Sequence, residues 1–190
     1  MVARHGKKRN APPRLGVVVA SFSGTEVRVL QAAPRGPEVV VQRWGAAAAG
    51  SDDESRARAL VEALARAEIK ERRVVLCLPA QSVVIKRVQL PPAAPEQLPQ
   101  LVQYEAQRHL PLPVEQLASG YQSSPSVDAA LGSEALIAVT RKAELARLER
   151  ALAASGVRVE GYGVEPLAIT DAFLAAAPSP DGEARLLLAA

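Results

Sequence analysis

Cysteine occurs once in these 190 residues, histidine twice, and aromatic side chains make up only 3% of the chain. A single cysteine excludes an internal disulfide. Cys77 also lies in the apolar run Val74 to Leu78, where a buried, inert thiol and a reducing compartment are expected. His5 and His109 stand far from it, so no spacing resembles a zinc site or a cysteine-histidine catalytic pair. One Trp, three Tyr and two Phe are too few to interleave with basic residues as base-stacking surfaces require. No apolar run approaches the roughly 18 residues of a membrane span. Met1 to Arg14 carries no apolar core of the signal-peptide kind. These absences lead to the expectation of a cytoplasmic protein that any membrane work would reach through a partner.

Charge is nearly balanced at +3, and its asymmetry is local: Arg4, Lys7, Lys8, Arg9 and Arg14 all precede the first acidic residue, Glu26. Residues 1–14 read as a basic disordered tail on a neutral body. One reading, a nucleic-acid or anionic-surface binder, would rest on that tail alone. It lacks the extended basic face that groove binding needs.

What is present is a foldable chain, 48% hydrophobic and 23% charged, enough for one full core or two small lobes. Leu15 to Ala20 and Glu26 to Gln31 predict two strands around a turn at Ser21 to Gly24. Pro34, Gly36 and Pro37 predict a second turn before a strand over Val39 to Val41 that ends near Trp44. Ser51 stands three residues before Glu54, a capping-box spacing, and Ala59, Leu60, Ala63, Leu64 and Ala67 carry a helix through Ile69. Arg73 to Leu78 is a buried strand stopped by Pro79. Ser82 to Leu90 predicts a long strand, and a helix follows from Pro95 to Leu110, with Pro99 tolerable in its first turn. Leu112 to Leu117 reads as a turn or short connection. Gly120 to Ser123 and Ala135 to Thr140 predict strands joined by a polar loop, Ser124 to Gly132. Ala143 to Ala154 predicts a helix with a left-handed cap at Gly156. Val157 to Val164 reads as a strand and Pro166 to Ala176 as a helix. Leu186 to Ala190 reads as the start of a further strand, which leads to the expectation of a piece of a longer protein.

In that order, Val74 to Pro79, Val83 to Leu90, Glu96 to Pro113, Ala135 to Thr140 and Gly156 to Pro166 resemble the PilM family of actin-like proteins, to which the GspL cytoplasmic domain is related. The segment PEQLPQLVQYEAQRHLPLP matches the family's helix pattern at Leu98, Val102, Glu105, Ala106, Leu110, Pro111 and Pro113, followed by Tyr121 and Gln122. The resemblance implies an α+β, ribonuclease H-like first lobe of the actin kind. It would be built from residues 15–80 plus 157–190, with a small α+β subdomain inserted at 81–156. It further implies a non-catalytic scaffold of a type IV pilus or type II secretion assembly at the cytoplasmic face of the inner membrane. Such a scaffold docks a bitopic membrane protein, PilN-like or GspM-like, an assembly ATPase, or both.

The sequence departs from that pattern in the first hairpin. Actin-like ATPases carry an aspartate and glycines there, whereas LGVVVASFSG puts Val18 at the aspartate position and Ala20 at the glycine. A valine supplies no oxygen for a magnesium site. Ser21, Ser23 and Gly24 remain as hydroxyl and backbone donors for an ATP phosphate, beside the plainer reading of a serine-rich turn. The alternative function is therefore an actin-like ATP-binding protein whose site a second lobe completes. Asp52, Asp53 and Glu54 read as helix-start carboxylates and not as a catalytic pair. For partner binding the candidates are Tyr104, Arg108 and His109 on the second helix, with Lys86 and Arg87 on the strand before it. No residue is expected to be catalytic and none to bind metal.

Overall fold

The computed structural model describes residues 16–36, 38–125 and 132–176. The basic tail, most of the polar loop and the Leu186 to Ala190 stretch lie outside the described residues.

A five-stranded sheet has the order β3-β2-β1-β4-β8. Its strands are β1 (Val17–Ser23), β2 (Glu26–Arg35), β3 (Glu38–Ala48), β4 (Arg73–Leu78) and β8 (Arg158–Val164). The first three are antiparallel neighbours, and β4 lies parallel to both β1 and β8. Strand alternation sends Val18, Ala20 and Phe22 of β1, Val27 and Val29 of β2, and Val74 and Leu76 of β4 to one face. There they meet α1 (Asp53–Arg66) and α3 (Lys142–Ala154), whose Leu60, Leu64, Leu148 and Leu152 complete the core.

A three-stranded sheet has the order β5-β7-β6, from β5 (Val84–Leu90), β6 (Leu117–Pro125) and β7 (Ser133–Arg141), all antiparallel. Helix α2 (Leu98–His109) covers one face, burying Val102 and Ala106 against Leu90, Leu117, Ala135, Ile137 and Val139. Pro99 lies in its first turn, where the missing N–H has no helical acceptor to lose. Residues 81–156, expected as the inserted unit, supply this second layer. Their last helix, α3, packs with the larger core instead, because Leu148 and Leu152 face α1 and β8.

Five expectations on local structure are corrected. Ser21 is not in the first turn: pairing continues through Ser21↔Arg28, Phe22↔Val27 and Ser23↔Glu26, leaving only Gly24 and Thr25 to reverse the chain. Burial of Phe22 opposite Val27 keeps that register. The second turn is similarly tighter, since Pro34 and Arg35 still pair with Val39 and Glu38. Strand β3 runs on to Ala48, because Ala46 to Ala48 pair with Arg28, Val27 and Glu26. Helix α1 crosses this stretch so closely that a Cβ on Gly45 would stand 2.9 Å from the Ala63 carbonyl oxygen. Helix α1 is capped by Asp52, not Ser51. The Asp52 carboxylate accepts the Ser55 N–H at 2.7 Å, and the Ser55 hydroxyl accepts the Gly50 N–H. Its other end stops at Arg66, with Glu68 in the left-handed region and Ile69 N–H returning to the Leu64 carbonyl at 2.9 Å.

Helix α3 ends as expected, on Gly156 at φ +76°. Helix α4 (Glu165–Ala176) follows β8. Among the described residues no helix is long and apolar enough to cross a membrane.

Candidate functional site

Two places bear on function: the first hairpin, and the exposed side of α2.

On β1 the pleat separates the residues that the resemblance made important. Val18 and Ala20 point into the core, at 2% and 0% exposure, so an aspartate at position 18 would be a buried charge among valines and leucines. Ser21 and Ser23 take the opposite face. Ser21 pairs across β1 with Cys77, and Cys77 across β4 with Gly163, forming one row over three parallel strands. At the end of that row Glu165, the first residue of α4, accepts a hydrogen bond from the Ser21 hydroxyl at 3.1 Å. Burial, and secondly the Glu165 carboxylate, push the Cys77 thiol up from its ordinary value, which keeps it protonated and unreactive. Ser23 sits opposite Glu26, which holds Arg28 at 2.6 Å. A phosphate approaching this row would meet two carboxylates, one of them already holding Arg28, and a hydroxyl already donated. Gly24, at φ +58° with open space around it, is shaped by its turn. Of the expected phosphate donors, Ser21 is engaged by Glu165, and the cation beside Ser23, Arg28, is already paired with Glu26. No group of three or more His, Cys, Asp or Glu side chains able to hold a metal occurs among the described residues.

The expected partner residues divide between surfaces. Tyr104 and Arg108 do share the exposed side of α2, since Val102 and Ala106 occupy the buried side. The Tyr104 hydroxyl accepts from the Gln100 amide at 3.2 Å, and Arg108 donates to Glu105 at 2.9 Å. His109 is turned partly inward at the end of the helix, with Nε2 buried and lacking a hydrogen-bond partner among the described residues. On β5, Lys86 is opposite the core residue Ile137 and so lies on the α2 side of the sheet. Arg87 projects from the other side, where it pairs with Glu134. Lys86 and Arg87 therefore fall on opposite sides of the sheet, and only Lys86 shares the side that α2 covers.

Sequence reasoning missed one constellation. Asp53 is buried at the start of α1 and receives a hydrogen bond from Arg147 of α3, with Arg56 at 3.6 Å. Beside it Glu54, Arg58, Arg147, Arg150, Ala151, Ala154 and Ser155 line an open groove of about 450 Å³ between the two helices. The neighbouring Asp52 is held below its ordinary value, first by the Ser55 N–H it caps. Asp53 and Arg147 are 94 residues apart, and no local signal connects them.

With this geometry in place the chain can be set beside known proteins. No family model matches the sequence, and no curated protein matches it. Solved structures do. What they define first is a class of fold: an α+β lobe of the actin-like kind, with a five-stranded sheet whose order places β1 centrally. In particular, the chain is similar to a chain of a PilM-PilN type IV pilus biogenesis complex. The TM-score is 0.73 at 19% identity, over 86% of this chain and 52% of that one. It is also similar to the cytoplasmic domain of EpsL, an inner membrane component of the type II secretion system of Vibrio cholerae. There the TM-score is 0.54 at 20% identity, over 87% of this chain and 60% of that one. The chain thus spans about half the length of the first structure and three fifths of the second. At such identities the likeness is one of fold.

Proposed function

We propose that this chain is a non-catalytic cytoplasmic scaffold of a type IV pilus or type II secretion assembly, acting at the cytoplasmic face of the inner membrane. Its work is to dock the tail of a bitopic membrane protein, PilN-like or GspM-like, an assembly ATPase, or both. The observation that carries this reading is the likeness of fold to a chain of a pilus biogenesis complex. The hairpin supports it, with core side chains at positions 18 and 20 and the Ser21 hydroxyl taken up by Glu165. A carboxylate at that position repels phosphate. The rival reading, ATP bound at the hairpin and completed by a second lobe, requires Glu165 to give up Ser21.

Tyr104 and Arg108 are the proposed contacts, an aromatic and an arginine adjacent on an exposed helix face. The test is affinity capture of the tagged chain from gently solubilised host membranes, with co-purifying proteins identified by mass spectrometry. Recovery of a bitopic inner-membrane protein or a hexameric assembly ATPase, reduced at least severalfold by Tyr104→Ala with Arg108→Ala, is expected. Recovery of neither from folded bait would contradict the scaffold reading; undiminished capture by the variant would move the contact elsewhere.

A further inference from the structure

Strand β3 ends the larger sheet, with no strand on its far side among the described residues. It is long, and its first half is apolar and exposed: Val39 is 74% accessible, Val41 54%, and Trp44, beyond them, 75%. Register explains part of this. Strand β1 begins opposite Ala32, so among the described residues Ala33 to Arg35 and Glu38 to Val40 pair only with each other, as a two-stranded ribbon past the start of β1. A ribbon of two strands is marginal in water, and three or more with a shared apolar face are needed for stability. An uncapped apolar edge of this kind is a template for pairing with another chain.

We infer that the free edge of β3 pairs antiparallel with the same edge of a second copy of this chain, with Val40 on the twofold axis. The argument for this occupant is self-complementarity. An isologous contact requires residue i to meet j while j meets i. The segment Glu38-Val39-Val40-Val41-Gln42 reads nearly the same in both directions. Centred on Val40, Val39 of each copy stands opposite Val41 of the other, two β-branched pairs on the face that also carries Trp44. Glu38 meets Gln42, an amide, so no like charges oppose each other. Of the cations beside this segment among the described residues, Arg35 stands opposite Glu38 within its own ribbon, and Arg43 donates to the Glu68 carbonyl and pairs with its carboxylate at 3.6 Å. Gln42, the extra residue where the β2 to β3 register shifts, ends the regular run at that side. The two ribbons then form four continuous strands, and the exposed valines gain cross-strand neighbours.

Sedimentation velocity on the full chain, from micromolar to submillimolar concentration, tests this. A species of twice the 20.0 kDa chain mass is expected, and the chain mass itself for Val39→Lys with Val41→Lys. Both side chains are exposed, so circular dichroism should stay unchanged. Residues opposite each other on antiparallel strands have Cα atoms about 4.5–5.5 Å apart, within disulfide reach. Val40→Cys is therefore expected to oxidise to a linked dimer, while Val17→Cys, exposed on an interior strand, stays a thiol. A wild-type monomer throughout, or a dimer that survives both lysines, overturns the inference. So does a monomer whose Val40→Cys thiol is protected, which would put the chain's own terminal residues over this edge.

Discussion

The two sheets are covered to different depths. On the five-stranded sheet two helices bury Leu60, Leu64, Leu76 and Leu152 completely, along with Val18, Val27 and Val74. On the three-stranded sheet a single helix closes a smaller core, seven buried residues among those described, including Leu90, Val102 and Ile137. Removal of apolar surface from water is the main favourable term in folding. The larger layer should therefore carry the chain's stability, while the smaller one, with a helix exposed on its outer side, is free to carry contacts. A rigid frame with a shallower appendage suits docking.

Truncation within each core is the strongest way to break that contrast. Leu64→Ala should cost about 3 kcal/mol and lower the denaturation midpoint of the whole chain. Ile137→Ala should cost a similar amount, about 3 kcal/mol, but locally. Amide exchange should quicken over β5, β6, β7 and α2 while β1 and β4 remain protected. Equal loosening of both layers would mean one cooperative unit.

A smaller effect tests how α1 and α3 are held together. Arg147→Leu leaves the buried Asp53 carboxylate with Arg56 alone, at 3.6 Å, and should cost about 1–2 kcal/mol. Pairing it with Asp53→Asn in a double-mutant cycle measures how much of this is the specific contact.

Smaller still is a pH-dependent contribution at the entrance to β4. Glu71 accepts hydrogen bonds from the Arg73 side chain and from the N–H groups of Arg72 and Arg73, and its carboxyl is pulled from an ordinary 4.5 down to about 2. A depressed folded value stabilises above pH 4.5, and the contribution fades as pH falls from 4.5 towards 2. Glu71→Gln should therefore lower stability at neutral pH by about 1 kcal/mol, and the two proteins should converge near pH 2 in acid-denaturation curves. A constant difference across that range would remove Glu71 as a source of acid sensitivity.

How much of this was legible in the sequence follows from which interactions were local. The strands at Arg73 to Leu78 and Ala135 to Thr140, the helix with Pro99 in its first turn and the Gly156 cap were all readable, because each depends on residues a few positions apart. The extension of β3 through Ala46 to Ala48 was not. Alanine favours helix, and only the close crossing of α1 over Gly45 makes small residues right for a strand there. Nor was the Ser21 to Glu165 hydrogen bond, which spans 144 positions. At the candidate contact surface the helical spacing of Tyr104 and Arg108 was readable. The sheet alternation that sends Arg87 away from Lys86 was available too, but it needed the pairing with Ile137 to say which side was which.

The proposal that this chain docks partners without a nucleotide is tested most directly by titrating magnesium-ATP, in a calorimeter, into the purified chain and into a longer form that supplies a second lobe. No saturable heat at millimolar nucleotide is expected, for the wild type and for Ser21→Ala alike. Saturable binding that Ser21→Ala abolishes would contradict it, showing that Ser21 leaves Glu165 for a phosphate and that the hairpin is a working site.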